Sequence, residues 1–308
     1  TEINFESEIC AYLSANGWLY EEGDAAKYDR GLALFPEDAL AWIQKTQTEA
    51  WDTLQKNHGS KAGDTVLARI RESLDKNGTL DVLRHGIDLL GLRKKLPLAQ
   101  FKPAMAINPD ILVRYKANRL RVIRQVRYSL HNENNIDLVL FLNGLPVATI
   151  ELKTDFTQSI SDAIAQYKFD RNPKAKGKGS EPLLTFPSGA LVHFAVSSSE
   201  VEMTTNLQRE GWLEIIGRYM LAERDEKKQI KKIIFPRYHQ LDATRELQAA
   251  VLKDGPGGRY LIQHSAGSGK TNSIAWSAHF LADLHDAEHN KFFDTVIVVS
   301  DRNVIDTQ

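Results

Sequence analysis

The sequence predicts an α/β protein with two domains, and three features of its 308 residues support this prediction. Apolar residues follow helical spacing over most of residues 5–92. They then recur with a period of two around a short Asn-Gly turn. In the last third, helices alternate with apolar segments on either side of a glycine-rich loop, an order typical of a parallel sheet. The length also suggests about two domains, at roughly 150 residues each.

The composition is that of a globular protein and excludes several classes. Hydrophobic residues make up 42% and charged residues 26% of the chain, which argues against disorder. No apolar run approaches the roughly 20 residues of a membrane-spanning helix, and no signal peptide is visible. Cys10 is the single cysteine, which excludes an internal disulfide. We therefore expect a cytoplasmic protein without membrane contact. The net charge of -1 means that any nucleic-acid binding depends on local basic patches.

Helices are predicted for the N-terminal third. Apolar residues at helical spacing begin at Phe5, and Asn16-Gly17 is a natural stop signal. A second helix is expected to begin at Pro36, followed by two acids that suit the positive end of the helix dipole. The aromatic side chains of this region are expected to pack in the core.

Strands are predicted from about residue 112 onward. The first alternates apolar residues with arginines and therefore has one basic face. The apolar run 136–142 predicts a buried strand, Asn143-Gly144 predicts a hairpin turn, and 147–153 predicts the return strand. A helix over 159–169 and a strand over 190–197 follow. The basic stretch either neutralises DNA phosphates or forms a solvated strand face; its cations are Arg114, Lys116, Arg119, Arg121, Arg124 and Arg127.

The pattern predicts a first domain over residues 1–210 and a second domain over 236–308. The residues between them, 211–235, are expected to form a linker or a solvated helix, because the stretch 221–232 is dense in charged residues. The second domain should contain a β-α-β unit. Its expected elements, in chain order, are a helix over 241–252, a strand over 259–263, a helix over 272–284 and a strand over 295–299.

A glycine-rich loop between the predicted strand and helix of the second domain is typical of phosphate binding. Glycines let several backbone N–H groups point into one concavity at a helix N-terminus. Lys270 would reach the β- and γ-phosphates of ATP, and the Thr271 hydroxyl would bind Mg²⁺. The usual pattern has glycine where this sequence has His264. The loop residues predicted to bind nucleotide are Gly267, Ser268, Gly269, Lys270 and Thr271.

A second nucleotide contact is predicted just before the first helix of this domain. Arg237 and Gln240 lie about 24 residues upstream of the loop. A glutamine side chain carries donor and acceptor groups that match the adenine edge. The alternative is an ordinary glutamine at a helix start.

The predicted hairpin carries a second group of chemically suited residues. Asp137 lies on one strand, and Glu151 and Lys153 share one face of the other, because alternate strand residues point the same way. Two carboxylates suit Mg²⁺, which polarises a phosphodiester and lowers the pKa of a bound water. Lys153 would stabilise the negative charge that develops on the phosphate. The alternative is a Glu–Lys pair on a solvated strand face.

Two further residues are candidates for the same site. Gln166 lies on the helix after the hairpin and could contact DNA or organise the site. Glu6 on the first helix could add a carboxylate to the metal site, the alternative being a plain surface acid.

The chain resembles the N-terminal portion of the restriction (motor and nuclease) subunit of type I restriction–modification systems. The resemblance implies a restriction-endonuclease-like PD-(D/E)xK nuclease domain followed by the start of a RecA-like P-loop translocase domain. The chain departs from the family pattern after the hairpin. The family usually has Gln-x-x-x-Tyr there, whereas in this chain Gln166 is followed at the same spacing by Asp170. The resemblance is carried by the segments 28–30, 35–38, 42–43, 141–146, 151–153, 191–196 and 235–240 and by the phosphate loop.

The resemblance implies ATP-dependent translocation on double-stranded DNA coupled to cleavage that is Mg²⁺-dependent and not sequence-specific. The subunit would act with methylation and specificity subunits that choose the DNA sequence. Two alternatives remain open. One is a helicase–nuclease that processes DNA ends in recombination or repair. The other is a nuclease-like module that grips DNA for a motor without cutting it.

Overall fold

The computed structural model describes residues 2–103, 105, 108–153, 160–171, 173–174, 179–197 and 209–299. It divides into two compact units. The first comprises residues 1–102 and 110–234, and the second comprises residues 103–109 and 235–308.

A group of helices precedes the sheet of the first unit. The predicted start of the second helix at Pro36 is confirmed, and α1 ends next to the predicted Asn16-Gly17 stop. Trp42 and Phe35 are fully buried, which confirms that these aromatic residues pack in the core. In chain order the helices are α1 (Glu2–Ala15), α2 (Pro36–Thr46), α3 (Thr48–His58), α4 (Ala62–Asn77), α5 (Thr79–His85) and α6 (Pro109–Lys116).

A four-stranded mixed sheet forms the centre of the first unit, which confirms the α/β class. Its order is β1 (Leu120–Arg127), β2 (Asn135–Leu142), β3 (Leu145–Lys153) and β4 (Val192–Ser197). The first three strands are antiparallel, and β4 runs parallel to β3. Every residue of β3 is buried, as is nearly all of β2. Between β3 and β4 lies α7 (Ile160–Ala165), which continues as one π-helical turn, Gln166–Asp170.

The predicted Asn-Gly turn joins β2 to β3. Asn143 and Gly144 have φ values of 47° and 76°, and positive φ at both central residues defines the type I′ turn that suits the twist of a hairpin. A Cβ atom on Gly144 would lie 2.4 Å from the carbonyl oxygen of Phe35. The backbone N–H of Phe35 also donates to Gly144 O at 2.8 Å. The turn is therefore packed against the start of α2, and only glycine fits there.

The basic stretch does not form one continuous strand face, as either alternative assumed. The strand begins at Leu120, so Arg114 and Lys116 lie on α6 instead. Arg121 is 3% exposed and pairs with the buried carboxylates of Asp24 and Asp38. Arg119 Nε lies 2.7 Å from Asp38 Oδ1. Arg119 and Arg121 therefore join β1 to the helical layer, and Arg121 is closed off from solvent.

Replacing Arg121 by alanine should lower the free energy of unfolding by about 3–5 kcal/mol, because it removes the buried guanidinium that two buried carboxylates share and leaves them only the partly exposed cations of Arg119 and Lys27. Arg127→Ala on the same strand is the matched control, since Arg127 pairs with Glu133 at a site where both side chains are more than 60% exposed. Exposed pairs contribute about 0–1 kcal/mol. Urea unfolding of both variants measures the difference, and equal losses would contradict a structural role for Arg121.

The predicted connector, 211–235, is largely part of the first unit and is not a linker. Trp212 is fully buried and stacks edge-on against Trp18 at 6.2 Å and Phe194 at 6.1 Å. It lies on α8 (Arg209–Glu214), which continues as a buried π-helical turn, Ile215–Tyr219. The charged residues then form a hairpin of β5 (Leu221–Arg224) and β6 (Ile230–Ile234). A β-hairpin accommodates charges along its exposed face, so charge density did not mark a domain boundary.

The second unit contains α9 (Tyr238–Asp254) and α10 (Lys270–Ala282). The two predicted strands, 259–263 and 295–299, form no ladder in the described part of this unit. Leu261 is 91% exposed and Val299 is 89% exposed. A strand needs a hydrogen-bonded neighbour, and a parallel strand needs cover on both faces. The β-α-β unit is therefore not observed in the described residues.

Among the described residues, none of the helices combines the length and the apolar character needed to cross a bilayer.

Candidate nuclease site and phosphate loop

Asp137 and Glu151 lie on facing positions of two antiparallel strands. Leu138 pairs with Ile150, so continuing the register by one residue places Asp137 opposite Glu151. Facing residues of an antiparallel pair project to the same side, with Cβ atoms about 4.5–5.5 Å apart. The hairpin thus brings the two predicted carboxylates together on one face of the sheet.

Asp137 is fixed by the backbone of the partner strand. Its Oδ2 atom accepts a hydrogen bond from the N–H of Leu152 at 2.7 Å, and its Oδ1 atom accepts one from Gln125 Nε2 at 3.3 Å. Both carboxylate oxygens therefore have a defined partner. Asp137 is therefore held in one orientation beside Glu151.

Glu151 is the most buried carboxylate of the group, at 1% exposure. Burial raises its pKa to about 7, and the neighbouring charge of Asp137 adds to the rise, whereas Arg171 and Lys153 oppose it. Arg171 Nη2 lies 2.5 Å from Glu151 Oε1. This ion pair is not aligned as a hydrogen bond, and it does not compensate the cost of burying the charge.

The raised pKa of Glu151 makes stability depend on pH with a defined sign. The folded chain binds the proton of Glu151 more tightly than the unfolded chain, so this contribution to stability is complete below about pH 4.5 and is lost as pH rises through about 7. In EDTA, the stability of Glu151→Gln relative to wild type should be about 1–3 kcal/mol more favourable at pH 8 than at pH 5. Urea unfolding at the two pH values measures this difference.

Glu133→Gln is the control for this comparison. Hydrogen bonding and charge from Arg30 lower the pKa of Glu133, so that carboxylate is ionised at both pH values. Its relative stability should not change between pH 5 and pH 8. If the relative stability of Glu151→Gln also did not change between pH 5 and pH 8, Glu151 would not be protonated near neutral pH.

Lys153 shares the face of β3 that carries Glu151. Both residues lie two positions apart on one strand, and Lys153 is 6% exposed. Thr149 precedes them on that face and contacts Tyr167 Oη at 2.8 Å and His193 Nδ1 at 2.6 Å. The alternative of a solvated strand face is therefore wrong, because Thr149, Glu151 and Lys153 are all buried.

Glu6 is connected to this group through one glutamine. The amide nitrogen of Gln125 donates to Glu6 Oε1 at 2.6 Å and also to Asp137. Glu6 is 2% exposed, so it is not a surface acid. Burial raises its pKa, which Arg124 opposes through an ion pair at 3.0 Å. Gln125 adopts a φ of 49°, a left-handed conformation that these contacts hold in place.

Gln166 begins the π-helical turn after α7, and no hydrogen bond joins its side chain to Asp137, Glu151 or Lys153 among the described contacts. Its Oε1 atom is buried without a hydrogen-bond partner. Its backbone oxygen accepts a hydrogen bond from the N–H of Arg171 at 2.9 Å. Single π turns occur frequently at functional sites, and this one leads the chain to the ion pair at Glu151.

The donor set fits a hard divalent cation. The pKa of Glu151 stays raised by burial despite its ion pair with Arg171, and Asp137 presents a fixed carboxylate next to it. Oxygen ligands of this type suit Mg²⁺, which usually binds to one or two carboxylates and keeps several waters. No set of three or more acidic, histidine or cysteine side chains converges as a metal site among the residues that the structure describes. Asp137 and Glu151 would be the protein ligands.

The glycine-rich loop of the second unit leads directly into a helix. Gly267 and Gly269 have φ values of 74° and 80°, and α10 begins directly after them at Lys270. The ammonium of Lys270 donates to the carbonyls of His264 and Ser265 at 3.2 and 3.3 Å. The lysine thus folds back over the loop, and the N-terminal N–H groups of α10 follow it.

Gln240 lies beneath this loop. It is 2% exposed. Its amide nitrogen donates to Ser268 O at 3.2 Å and Gly269 O at 2.9 Å, and its oxygen accepts from the N–H of Arg237. Both ends of the amide are used inside the protein, so here Gln240 supports the loop and does not present an adenine-reading edge. Arg237 Nη1 contacts Gly267 O at 3.4 Å.

Sequence reasoning missed Arg171 and Gln125. Arg171 had a weak signal, because it lies one residue after the position where the resemblance expects tyrosine. Gln125 had none, because its partners are 119 and 12 residues away.

The mixed sheet with facing acids places this chain among α/β proteins with a nuclease-like first domain. A family profile described as "Type I restriction enzyme R protein N terminus" matches residues 6–212, about two thirds of the chain. The chain therefore belongs to this family of type I restriction enzyme R proteins. It is also 30% identical over 203 residues to a Methanocaldococcus jannaschii protein named "Putative type I restriction enzyme MjaVIIIP endonuclease subunit". The match covers 58% of this chain and 19% of that relative's length.

Proposed function

We propose that this chain is the N-terminal part of a restriction subunit that cleaves double-stranded DNA in an ATP-dependent, multi-subunit complex. The observation that carries the proposal is the facing pair Asp137 and Glu151, with Lys153 on the same buried face of the sheet. Membership of the R protein family and the endonuclease name of the relative agree with a nuclease role.

Each residue of the pair has a distinct part in the proposed chemistry. A bound Mg²⁺ would polarise the scissile phosphodiester and lower the pKa of its water. Asp137 and Glu151 would hold it, and the hydrogen bond from Leu152 N–H keeps Asp137 oriented for this. Lys153 would stabilise the negative charge that develops on the phosphate. Burial strengthens these interactions because they act at low dielectric.

ATP-driven translocation is the second part of the proposal. Its support is the loop from Gly267 to Thr271 at the start of α10, whose glycine geometry and helix N-terminus suit phosphate groups. Lys270 and the Thr271 hydroxyl would bind the nucleotide phosphates and their Mg²⁺. Gln240 is assigned to support of the loop, since its amide is fully hydrogen-bonded there. Methylation and specificity subunits would select the DNA sequence.

The test uses the complete restriction subunit together with methylation and specificity partners. Linearisation of an unmethylated plasmid should require both ATP and Mg²⁺, and EDTA should abolish it. Cleavage that needs neither partner subunits nor ATP would favour an independent nuclease, such as one that processes DNA ends. DNA-stimulated ATP hydrolysis without cleavage would favour the non-cleaving DNA-gripping module.

A further inference from the structure

Arg171 lies directly on the proposed cation ligand Glu151. The distance from Arg171 Nη2 to Glu151 Oε1 is 2.5 Å, and the two side chains are 10% and 2% exposed. A guanidinium at this place supplies positive charge to the same carboxylate oxygen that a divalent cation would bind. Two positive groups at one carboxylate oxygen repel each other, so each weakens the binding of the other.

Contacts away from Glu151 hold the guanidinium in place. Arg171 Nη1 donates to the backbone oxygen of Asn135 at 2.7 Å, and the guanidinium carbon lies 5.5 Å from the centre of the Tyr128 ring. The residue follows the π-helical turn Gln166–Asp170 and donates its N–H back to Gln166 O. Asn135 and Tyr128 would keep Arg171 near the site when its contact with Glu151 is lost.

The ion pair is a poor substitute for a metal ion. Its geometry does not align as a hydrogen bond, and Arg171 Nε is buried without a hydrogen-bond partner among the described residues. A buried carboxylate gains most from a compact charge with well-aligned contacts. A divalent cation meets that requirement better than this guanidinium does.

We propose that Arg171 neutralises Glu151 while the nuclease site holds no divalent cation and releases it when the cation binds, so that Arg171 sets the cation affinity of the site. This inference rests on the proposed nuclease function. Arg171 is a positioning residue in this account, because it acts on the carboxylate and not on DNA. If the ion pair were purely structural, removal of the Arg171 side chain would leave the cation affinity of the site unchanged or reduce it.

The experiment is a calorimetric titration of the full-length restriction subunit with Mn²⁺ in the absence of nucleotide and DNA. Arg171→Gln should bind Mn²⁺ about tenfold more tightly than wild type, the factor that corresponds to about 1.4 kcal/mol of lost competition. Arg171→Lys should be intermediate, because an ammonium group cannot reach both Glu151 and Asn135 O. Arg30→Gln, which removes a surface arginine paired with Glu133, should match wild type.

The outcomes separate this inference from the proposed function. Glu151→Ala should lose the Mn²⁺ site, and a wild-type protein that shows no Glu151-dependent binding would overturn the proposed function itself. If that binding is present but Arg171→Gln binds Mn²⁺ equally or more weakly, the inference is overturned while the nuclease assignment stands. Thermal unfolding shows whether Arg171→Gln folds. If it does not fold, Arg171→Lys takes its place in the comparison. A Mn²⁺ affinity of Arg171→Lys equal to that of the wild type would then overturn the inference.

Discussion

Replacing Glu151 by alanine is expected to reduce plasmid linearisation by the assembled restriction complex by at least about 10²–10³-fold. Such a loss is typical when one group that stabilises transition-state charge is removed. Asp137→Ala and Lys153→Met should have similar effects. Removing one of only two protein carboxylates weakens the binding of the ion and changes its position relative to the scissile phosphate.

The measurement pairs linearisation with DNA-stimulated ATP hydrolysis on the same preparation. ATP hydrolysis should change little, because these residues lie on the sheet of the first unit and the phosphate loop lies in the second. Glu133→Ala is the matched control, since Glu133 is an exposed carboxylate paired with Arg30 and Arg127. If Glu151→Ala still linearises DNA at the control's rate, the nuclease assignment is wrong.

Lys270→Ala should abolish both ATP hydrolysis and DNA cleavage in the complete subunit, with a loss of at least about a hundredfold in ATP turnover. The ammonium of Lys270 lies on the loop carbonyls at the start of α10, where it can supply charge to the transferred phosphate. The side chains next to it are uncharged and cannot replace that interaction. Assembly with partner subunits should be unchanged, because Lys270 is an exposed residue at the start of α10.

Lys253→Ala is the control for the motor prediction, since Lys253 is an exposed lysine near the end of α9. In steady-state ATPase and translocation assays, Lys253→Ala should behave like the wild type, whereas Lys270→Ala should lose both activities. Translocation at the wild-type rate by Lys270→Ala would mean that the loop does not bind the hydrolysed nucleotide.

The sequence predicted the hairpin of the first unit well because local chemistry specifies it. Asn143 and Gly144 adopt the positive φ values that their residue types favour, and the apolar runs on either side are buried strands. Asp137, Glu151 and Lys153 then follow from strand alternation and register alone. These residues lie within 17 positions of one another, so the pattern contains their geometry.

The failed predictions depend on partners that are distant in sequence. Arg121 was expected on an open basic face, but Asp38 and Asp24 lie 83 and 97 residues away and bury it. The charged stretch 221–232 was expected to connect domains, but strand pairing within it decides its structure. The strands expected in the second unit show the same limitation, because an apolar run becomes a strand only where a neighbouring strand can pair with it.

Diffraction from crystals of the protein soaked in Mn²⁺, recorded with the anomalous signal of manganese, tests the central claim most directly. We expect an anomalous peak between Asp137 and Glu151, at about 2.0–2.3 Å from a carboxylate oxygen of each, close to the distances that small divalent ions adopt. The same crystals should show Arg171 Nη2 displaced from its 2.5 Å contact with Glu151. An occupied manganese site elsewhere, with no peak between these two carboxylates, would contradict the assignment of this hairpin as the nuclease centre.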